Sequence, residues 1–156
     1  MIQATILRVA AAAVVVIAGQ ATAQRPAPTD DQLRDIALRV AELDARRQFP
    51  TATLATIDSL LAFYADSVVY EHPSVGAVVR GKAAMRTGMQ RFIGSVRAGA
   101  TDVPRITIGA GVAVLATTAH PDPRDPSKPV PSTRKALRIF EFDAQGLVRR
   151  IIDYPW

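Results

Sequence analysis

The chain has 156 residues, a formal net charge of +5 and no cysteine. The absence of cysteine excludes disulfides, thiolate zinc sites and a lipidated amino-terminal cysteine, and two histidines offer little for any other zinc site. The basic residues are scattered along the chain rather than interleaved with aromatic residues. This pattern favours a solvated basic surface and argues against nucleic-acid binding.

The first 23 residues have the pattern of a secretory signal peptide. One cation, Arg8, precedes the apolar run Val9 to Ala18, and the segment closes with Ala21-Thr22-Ala23. A membrane-spanning helix needs about 20 apolar residues, so the shorter run predicts no stable membrane anchor. We expect cleavage after Ala23 and export to the periplasm or the exterior, between which the signal does not distinguish.

The remaining chain predicts a short leader at 24–28 and one domain at 29–156. Thr29 and Gln32 form a capping-box pattern, which predicts the start of a first helix that ends before Phe49-Pro50. Apolar residues at helical spacing predict two more helices, at Ala52–Tyr64 and Lys82–Val96.

After these helices the pattern changes to strands. A short strand is predicted at Val68–His72, and a run of strands joined by short turns predicts an antiparallel sheet. Five prolines between residues 121 and 131 argue against a central strand there and predict an extended hairpin tip. The order predicts an α+β fold in which a curved antiparallel sheet wraps around three helices and leaves an apolar cone. The predicted strands of the sheet are Arg105–Ile108, Val112–His120, Arg134–Phe142 and Leu147–Trp156.

Three stretches, 61–73, 80–85 and 139–156, resemble the nuclear transport factor 2-like superfamily, in its SnoaL-like and ketosteroid-isomerase-like branch. The resemblance implies an α+β roll with a cone-shaped pocket and a homodimer that pairs through the sheet. The superfamily includes isomerases, cyclases, epoxide hydrolases and proteins without catalysis. The resemblance therefore specifies the fold better than the chemistry.

Within this resemblance, His72 occupies the position of the general base of ketosteroid-isomerase-like enzymes, directly before Pro73. An imidazole suits proton transfer at neutral pH. The alternative is a histidine that binds a backbone carbonyl at the end of the strand. Glu71 alternates with His72 and is expected on the opposite face, outside the pocket or in the dimer interface.

The resemblance places Arg138 near the oxyanion-stabilising acid of the same branch. Arginine carries a permanent charge and a fork of donors, so steroid isomerisation is not favoured and a carboxylate or enolate ligand is. The alternative is a solvated arginine on the outer face of the sheet.

Asp153 resembles one of the paired aspartates of the epoxide-hydrolase branch, which also needs an arginine and a second aspartate two residues apart on a neighbouring strand. The strand taken to correspond, Val114–Ala119, has neither residue, so the epoxide-opening triad is incomplete. Asp153 is then expected to orient His72 or to pair with Arg138, or to be solvated at the strand end.

Two hypotheses follow. The first is a cofactor-free isomerase, cyclase or hydrolase for a small apolar or weakly acidic molecule, with His72, Asp153 and Arg138 as its catalytic residues. The second is a non-catalytic module that binds a ligand or a protein through the same fold. Aromatic residues are expected to line the pocket, although a buried tyrosine often serves packing alone; they are Tyr64, Tyr70, Phe140, Tyr154 and Trp156.

Overall fold

The computed structural model describes residues 26–123 and 133–155. The predicted signal peptide, the first two residues of the leader and Trp156 lie outside the described residues, so their predicted roles stay predictions. Within the described ranges, no helix combines the length and the hydropathy that crossing a bilayer requires.

Three helices are present: α1 at Asp30–Arg46, α2 at Leu54–Leu61 and α3 at Lys82–Gln90. The predicted capping box starts α1. The backbone N–H of Thr29 donates to Gln32 Oε1 at 2.9 Å, and the backbone N–H of Gln32 donates to Thr29 Oγ1 at 3.3 Å. These two bonds satisfy donors that the first turn of a helix otherwise leaves unpaired.

Two helix ends differ from the prediction. The second helix ends at Leu61, and Tyr64 begins a strand instead of closing the helix. The third helix ends at Gln90, six residues early, because the chain turns through Gly94, whose φ of 71° suits glycine and ends the helical path. Phe92, which falls within the predicted helix, lies beyond its observed end and is 54% exposed.

The sheet contains six strands: β1 Tyr64–His72, β2 Ala77–Arg80, β3 Val96–Gly109, β4 Val112–Pro123, β5 Arg134–Phe142 and β6 Val148–Pro155. Their order across the sheet is β2-β1-β6-β5-β4-β3. All neighbours pair antiparallel except β1 and β6, which are parallel. The prediction of a wholly antiparallel sheet misses this pair because most of the domain, and not a hairpin, joins β1 to β6, and long connections allow parallel pairing.

The start of the proline segment belongs to a strand. β4 continues through Pro121 and Pro123, which pair with β3, whereas pairing of β4 with β5 ends at Ala119 opposite Arg134. Among the described residues this part of β4 therefore has one neighbouring strand. Proline, which has no N–H to donate, is tolerated where one side of a strand is unpaired.

The helices pack on the concave face of the curved sheet, and this confirms the predicted α+β cone. The buried core joins α1 and α2 to inward residues of β1, β4, β5 and β6. Its largest fully buried side chains are Tyr64, Phe140, Ile57, Leu60, Leu115, Val40, Val68 and Val148.

Candidate active site

Four charged residues meet inside the cone, and we call them the charged cluster: Asp44, Arg47, Arg138 and Asp153. Asp44 and Arg47 lie at the end of α1, and Arg138 on β5 is directly opposite Asp153 on β6. Asp44 continues the spacing of Leu33, Ala37 and Val40, the buried stripe of α1, so its carboxylate is directed toward the sheet.

Arg138 connects the two aspartates. Its Nη1 donates to Asp44 Oδ2 at 2.8 Å, and its Nη2 donates to Asp153 Oδ2 at 2.7 Å. Burial lowers the pKa of Arg138, but the two carboxylates raise it further, and the net pKa lies above the usual value. The guanidinium is therefore a permanent cation that fixes the positions of both carboxylates.

Asp44 also accepts a hydrogen bond from Arg47 Nε, at 2.6 Å to Oδ1. Burial alone would raise the pKa of Asp44, but the charges and hydrogen bonds of Arg47 and Arg138 outweigh it, and the net pKa is well below the usual range. Asp44 is therefore ionised at neutral pH and has no proton to give.

Three atoms of the charged cluster lack partners. Arg47 Nη1, Arg138 Nε and Asp153 Oδ1 are the buried side-chain polar atoms without a hydrogen bond in the described part of the chain. An unpaired buried polar atom costs about 1–3 kcal/mol. The charged cluster thus has two donors and one acceptor that can bind a ligand or water.

The charged cluster lies between two cavities. The first, which we call the apolar cavity, has a volume of about 250 Å³ and lies between α3 and the sheet. Its walls are mainly aromatic, aliphatic and methionine side chains, which suit an apolar molecule. Those side chains are Tyr64, Tyr70, Val79, Met85, Met89, Phe92, Phe140 and Ile151.

The second, which we call the polar cavity, has a volume of about 320 Å³ and lies between the end of α1 and the strands β3, β4 and β5. Asp44, Gln48, Arg138 and Asp153 line both cavities. The same carboxylates and guanidinium are therefore within reach from two sides.

Two tyrosines of the apolar cavity retain their protons to high pH. Burial, followed by the charge of Asp153, raises the pKa of Tyr70 to about 12. Burial, followed by the charge of Asp44, raises the pKa of Tyr64 above its usual value. Both hydroxyls are therefore hydrogen-bond donors at neutral pH.

Most of the predicted site residues lie inside the cone, but they are divided between the two cavities. Tyr64, Tyr70 and Phe140 line the apolar cavity, whereas His72 lines the polar cavity, where its Nδ1 is 3.0 Å from Ser74 Oγ. Arg138 points inward rather than into solvent on the outer face, and Asp153 pairs with Arg138.

Two residues lie on the outer face of the sheet. Tyr154 is 41% exposed and outside both cavities, so its position does not support a ligand-binding role. Glu71 is also on the outer face, as alternation predicts, and binds Arg150 at 2.9 Å. No group of three or more histidine, aspartate or glutamate side chains in the described ranges is arranged to hold a metal ion.

Residues 45–151 match the sequence profile of the SnoaL-like domain, and they make up more than half of the chain. The chain belongs to the SnoaL-like domain family. No curated protein matches it.

Solved structures similar to this SnoaL-like domain share its fold at low identity. A candidate ketosteroid isomerase from Kribbella flavida is 18% identical, with a TM-score of 0.62 over 81% of this chain and 79% of that one. A candidate SnoaL-like polyketide cyclase from Shewanella putrefaciens is 12% identical, with a TM-score of 0.65 over 80% and 89%. An LEH-like epoxide hydrolase from M. tuberculosis is 20% identical, with a TM-score of 0.58 over 78% and 84%. At these identities the comparisons show a common fold.

One assignment from the sequence is wrong for this SnoaL-like domain. The strands beside β6 are β1 and β5, and β5 carries Arg138 opposite Asp153; the strand at Val114–Ala119 is not a neighbour of β6. A second aspartate bound to Arg138 is Asp44 on α1, a residue that sequence reasoning missed. The sequence feature that could have identified Asp44 is a carboxylate at a position that continues the apolar, buried face of α1.

Proposed function

We propose that this SnoaL-like protein is a cofactor-independent hydrolase that opens a small, mainly apolar epoxide held in the apolar cavity, with Asp153 as its general base. One observation carries the proposal. Arg138 holds Asp153 Oδ2 at 2.7 Å and leaves Oδ1 buried without a partner in the described structure. A carboxylate that is fixed through one oxygen and unoccupied at the other is ready to accept a proton.

In the proposed reaction, Asp153 Oδ1 accepts a proton from a water molecule as the water oxygen attacks an epoxide carbon. The carbon–oxygen bond at that carbon breaks, and its electron pair remains on the ring oxygen. A proton donor protonates that oxygen to give a diol, and the proton on Asp153 returns to the donor through solvent. The overall reaction consumes one water molecule for each epoxide that is opened.

Tyr70 is the better proton donor in this reaction. Asp44, the second aspartate, has its pKa held well below the usual range and is ionised, whereas Tyr70 has a pKa of about 12 and is protonated. Tyr70 lines the same cavity as Asp153, and the charge of Asp153 contributes to its raised pKa. Asp44 then has a positioning role, because it holds Arg138 from the helix side.

One further observation supports epoxide opening. The pairing of an arginine with two aspartates matches the residue types that the resemblance to the epoxide-hydrolase branch implies, although Asp44 comes from α1 and not from a position two residues from Arg138. The solved structures with this fold include an isomerase-type and a cyclase-type protein as well as an epoxide hydrolase, so they support the fold and not the choice of reaction.

The test is turnover of small apolar epoxides, such as cyclohexene oxide and styrene oxide, by purified protein in ¹⁸O-labelled water. We expect a diol that carries one ¹⁸O atom. We expect Asp153→Asn to lower kcat by about 10²–10⁴-fold, while Asp66→Asn, a matched change at an exposed carboxylate, retains activity. Binding of the epoxides without turnover would instead support a non-catalytic binding module.

We further propose that the mature protein is exported and begins after Ala23. The support is the sequence of residues 1–23, with its short apolar run and small residues before the cleavage position. Mass spectrometry of the protein from its own cells should give an amino terminus at Gln24. A protein that retains residues 1–23 in the cytoplasm would contradict export.

We also propose a homodimer that pairs through the outer face of the sheet, as the family resemblance implies. The support is the family resemblance; on the same face Arg150 binds Glu71 at 2.9 Å and Glu141 at 3.1 Å, and these pairs would lie in the interface. Light scattering after gel filtration should give twice the mass of the chain. A monomer at micromolar concentration would contradict the dimer.

A further inference from the structure

We infer that the polar cavity is a second binding site, which takes a small molecule with one carboxylate on a compact apolar body. The apolar cavity and the proposed reaction do not require this site.

The rim of the polar cavity is basic. Arg134 and Lys135, at the start of β5, both line it, and neither forms an ion pair within the described ranges. The two acidic residues of the lining, Asp44 and Asp153, are both paired with Arg138. Apart from His72, three cationic and two anionic side chains line this cavity, so positive charge is in excess. Such a rim attracts an anion.

One residue of the lining of the polar cavity, Arg138, carries an unpaired donor: its Nε–H is buried without an acceptor among the described residues. A carboxylate oxygen is the acceptor that an arginine N–H binds best. His72 lines the cavity as well and offers a second polar contact to an acid.

The rest of the lining fits a compact apolar body rather than a phosphate or another fully polar anion. Small and aromatic side chains cover much of the wall, and they include Ala41, Ala45, Phe49, Ala119 and Ala136. Removing their surface from water is favourable only if the ligand also brings apolar atoms. A carboxylate joined to a ring or a short chain combines the two requirements.

Because Asp44, Gln48, Arg138 and Asp153 line both cavities, an acid bound in the polar cavity would share side chains with the proposed reaction site. Binding at one side would then alter binding at the other through the same guanidinium. This coupling distinguishes the polar cavity from an isolated surface site.

The test uses benzoate as the probe and benzamide as its neutral counterpart, each titrated into the full protein and followed by ¹⁵N chemical shifts. We expect benzoate to bind, with the largest changes at Thr117, Ala119 and Ala136, and benzamide to bind much more weakly. Arg134→Gln and Lys135→Gln should each weaken benzoate binding about two- to fivefold. Arg105→Gln, which removes an exposed cation on β3 outside the cavity, serves as the matched control.

Rising salt should weaken benzoate binding, since the rim cations are exposed. Three results would overturn the inference: equal binding of benzoate and benzamide, an Arg105→Gln variant that is weakened as much as the rim variants, or shift changes centred on Met85 and Met89 in the apolar cavity. None of these readouts depends on turnover, so the inference and the proposed hydrolase are tested separately.

Discussion

Arg138 and Asp153 face each other across the β5–β6 pair, and the arginine Nη2 donates to the aspartate Oδ2 at 2.7 Å. The same guanidinium reaches Asp44 on α1 at 2.8 Å, so one side chain joins the helical layer to the sheet. The contact is therefore both a structural link and the part of the cone where two cavities meet.

Asp44 is expected to matter for stability. Asp44→Ala removes a carboxylate that is paired with both Arg47 and Arg138 and leaves two mostly buried guanidinium groups without that partner. Breaking a buried ion pair typically costs about 3–5 kcal/mol, so we expect a loss of this order in urea unfolding. Asp58→Ala, which breaks the exposed pair with Arg86, is the control and should have a much smaller effect.

The pH dependence of stability should follow the lowered pKa of Asp44. In the unfolded chain this carboxyl takes up a proton near its usual value of 3.8, whereas in the folded protein it stays ionised to lower pH. Its stabilising effect is thus complete above about pH 5 and is lost as the pH falls. Urea midpoints between pH 3 and pH 6 should decline in the wild type and decline less in Asp44→Asn; parallel curves would contradict the assignment.

Tyr70 is expected to ionise late and to contribute to turnover. Its pKa of about 12 means that the hydroxyl keeps its proton until well above pH 10. The ultraviolet titration of the tyrosines should therefore show a step near pH 12 that Tyr70→Phe removes. If Tyr70 donates a hydrogen bond or a proton to the opening ring oxygen, kcat should also fall about 10²–10³-fold. A variant with wild-type kcat would exclude Tyr70 as the donor.

His72 provides a contrast with Asp153. The sequence places it at the general-base position of the family, but the structure places it in the polar cavity beside Ser74. We expect His72→Ala to reduce kcat by less than tenfold, well below the loss that removal of a general base causes. If His72→Ala lost as much activity as Asp153→Asn, His72 rather than Asp153 would be assigned as the general base.

The fold follows from local patterns that the sequence displays openly. The capping box at Thr29, the apolar residues at helical spacing and the run of strands from Arg105 predict the helices and most of the sheet. The parallel pairing of β1 with β6 was not predictable in this way, because it depends on residues more than 75 positions apart, such as Glu71 and Ile152.

The site was predictable in part for the same physical reason. Arg138 and Asp153 lie on strands whose inward faces follow from alternation, and the family resemblance directs attention to both. Asp44 lies on a helix, and only the packing of α1 against β5 brings its carboxylate to Arg138. The division of the cone into two cavities depends on that contact, so no single stretch of sequence contains it.

The most direct measurement is a crystal structure of Asp153→Asn with a bound epoxide that the wild type turns over. We expect the epoxide in the apolar cavity between α3 and the sheet, with its reacting carbon one bridging water away from the residue 153 side chain and its oxygen within hydrogen-bond distance of Tyr70. An epoxide bound outside that cavity, or one that contacts His72 and not residue 153, would contradict Asp153 as the base.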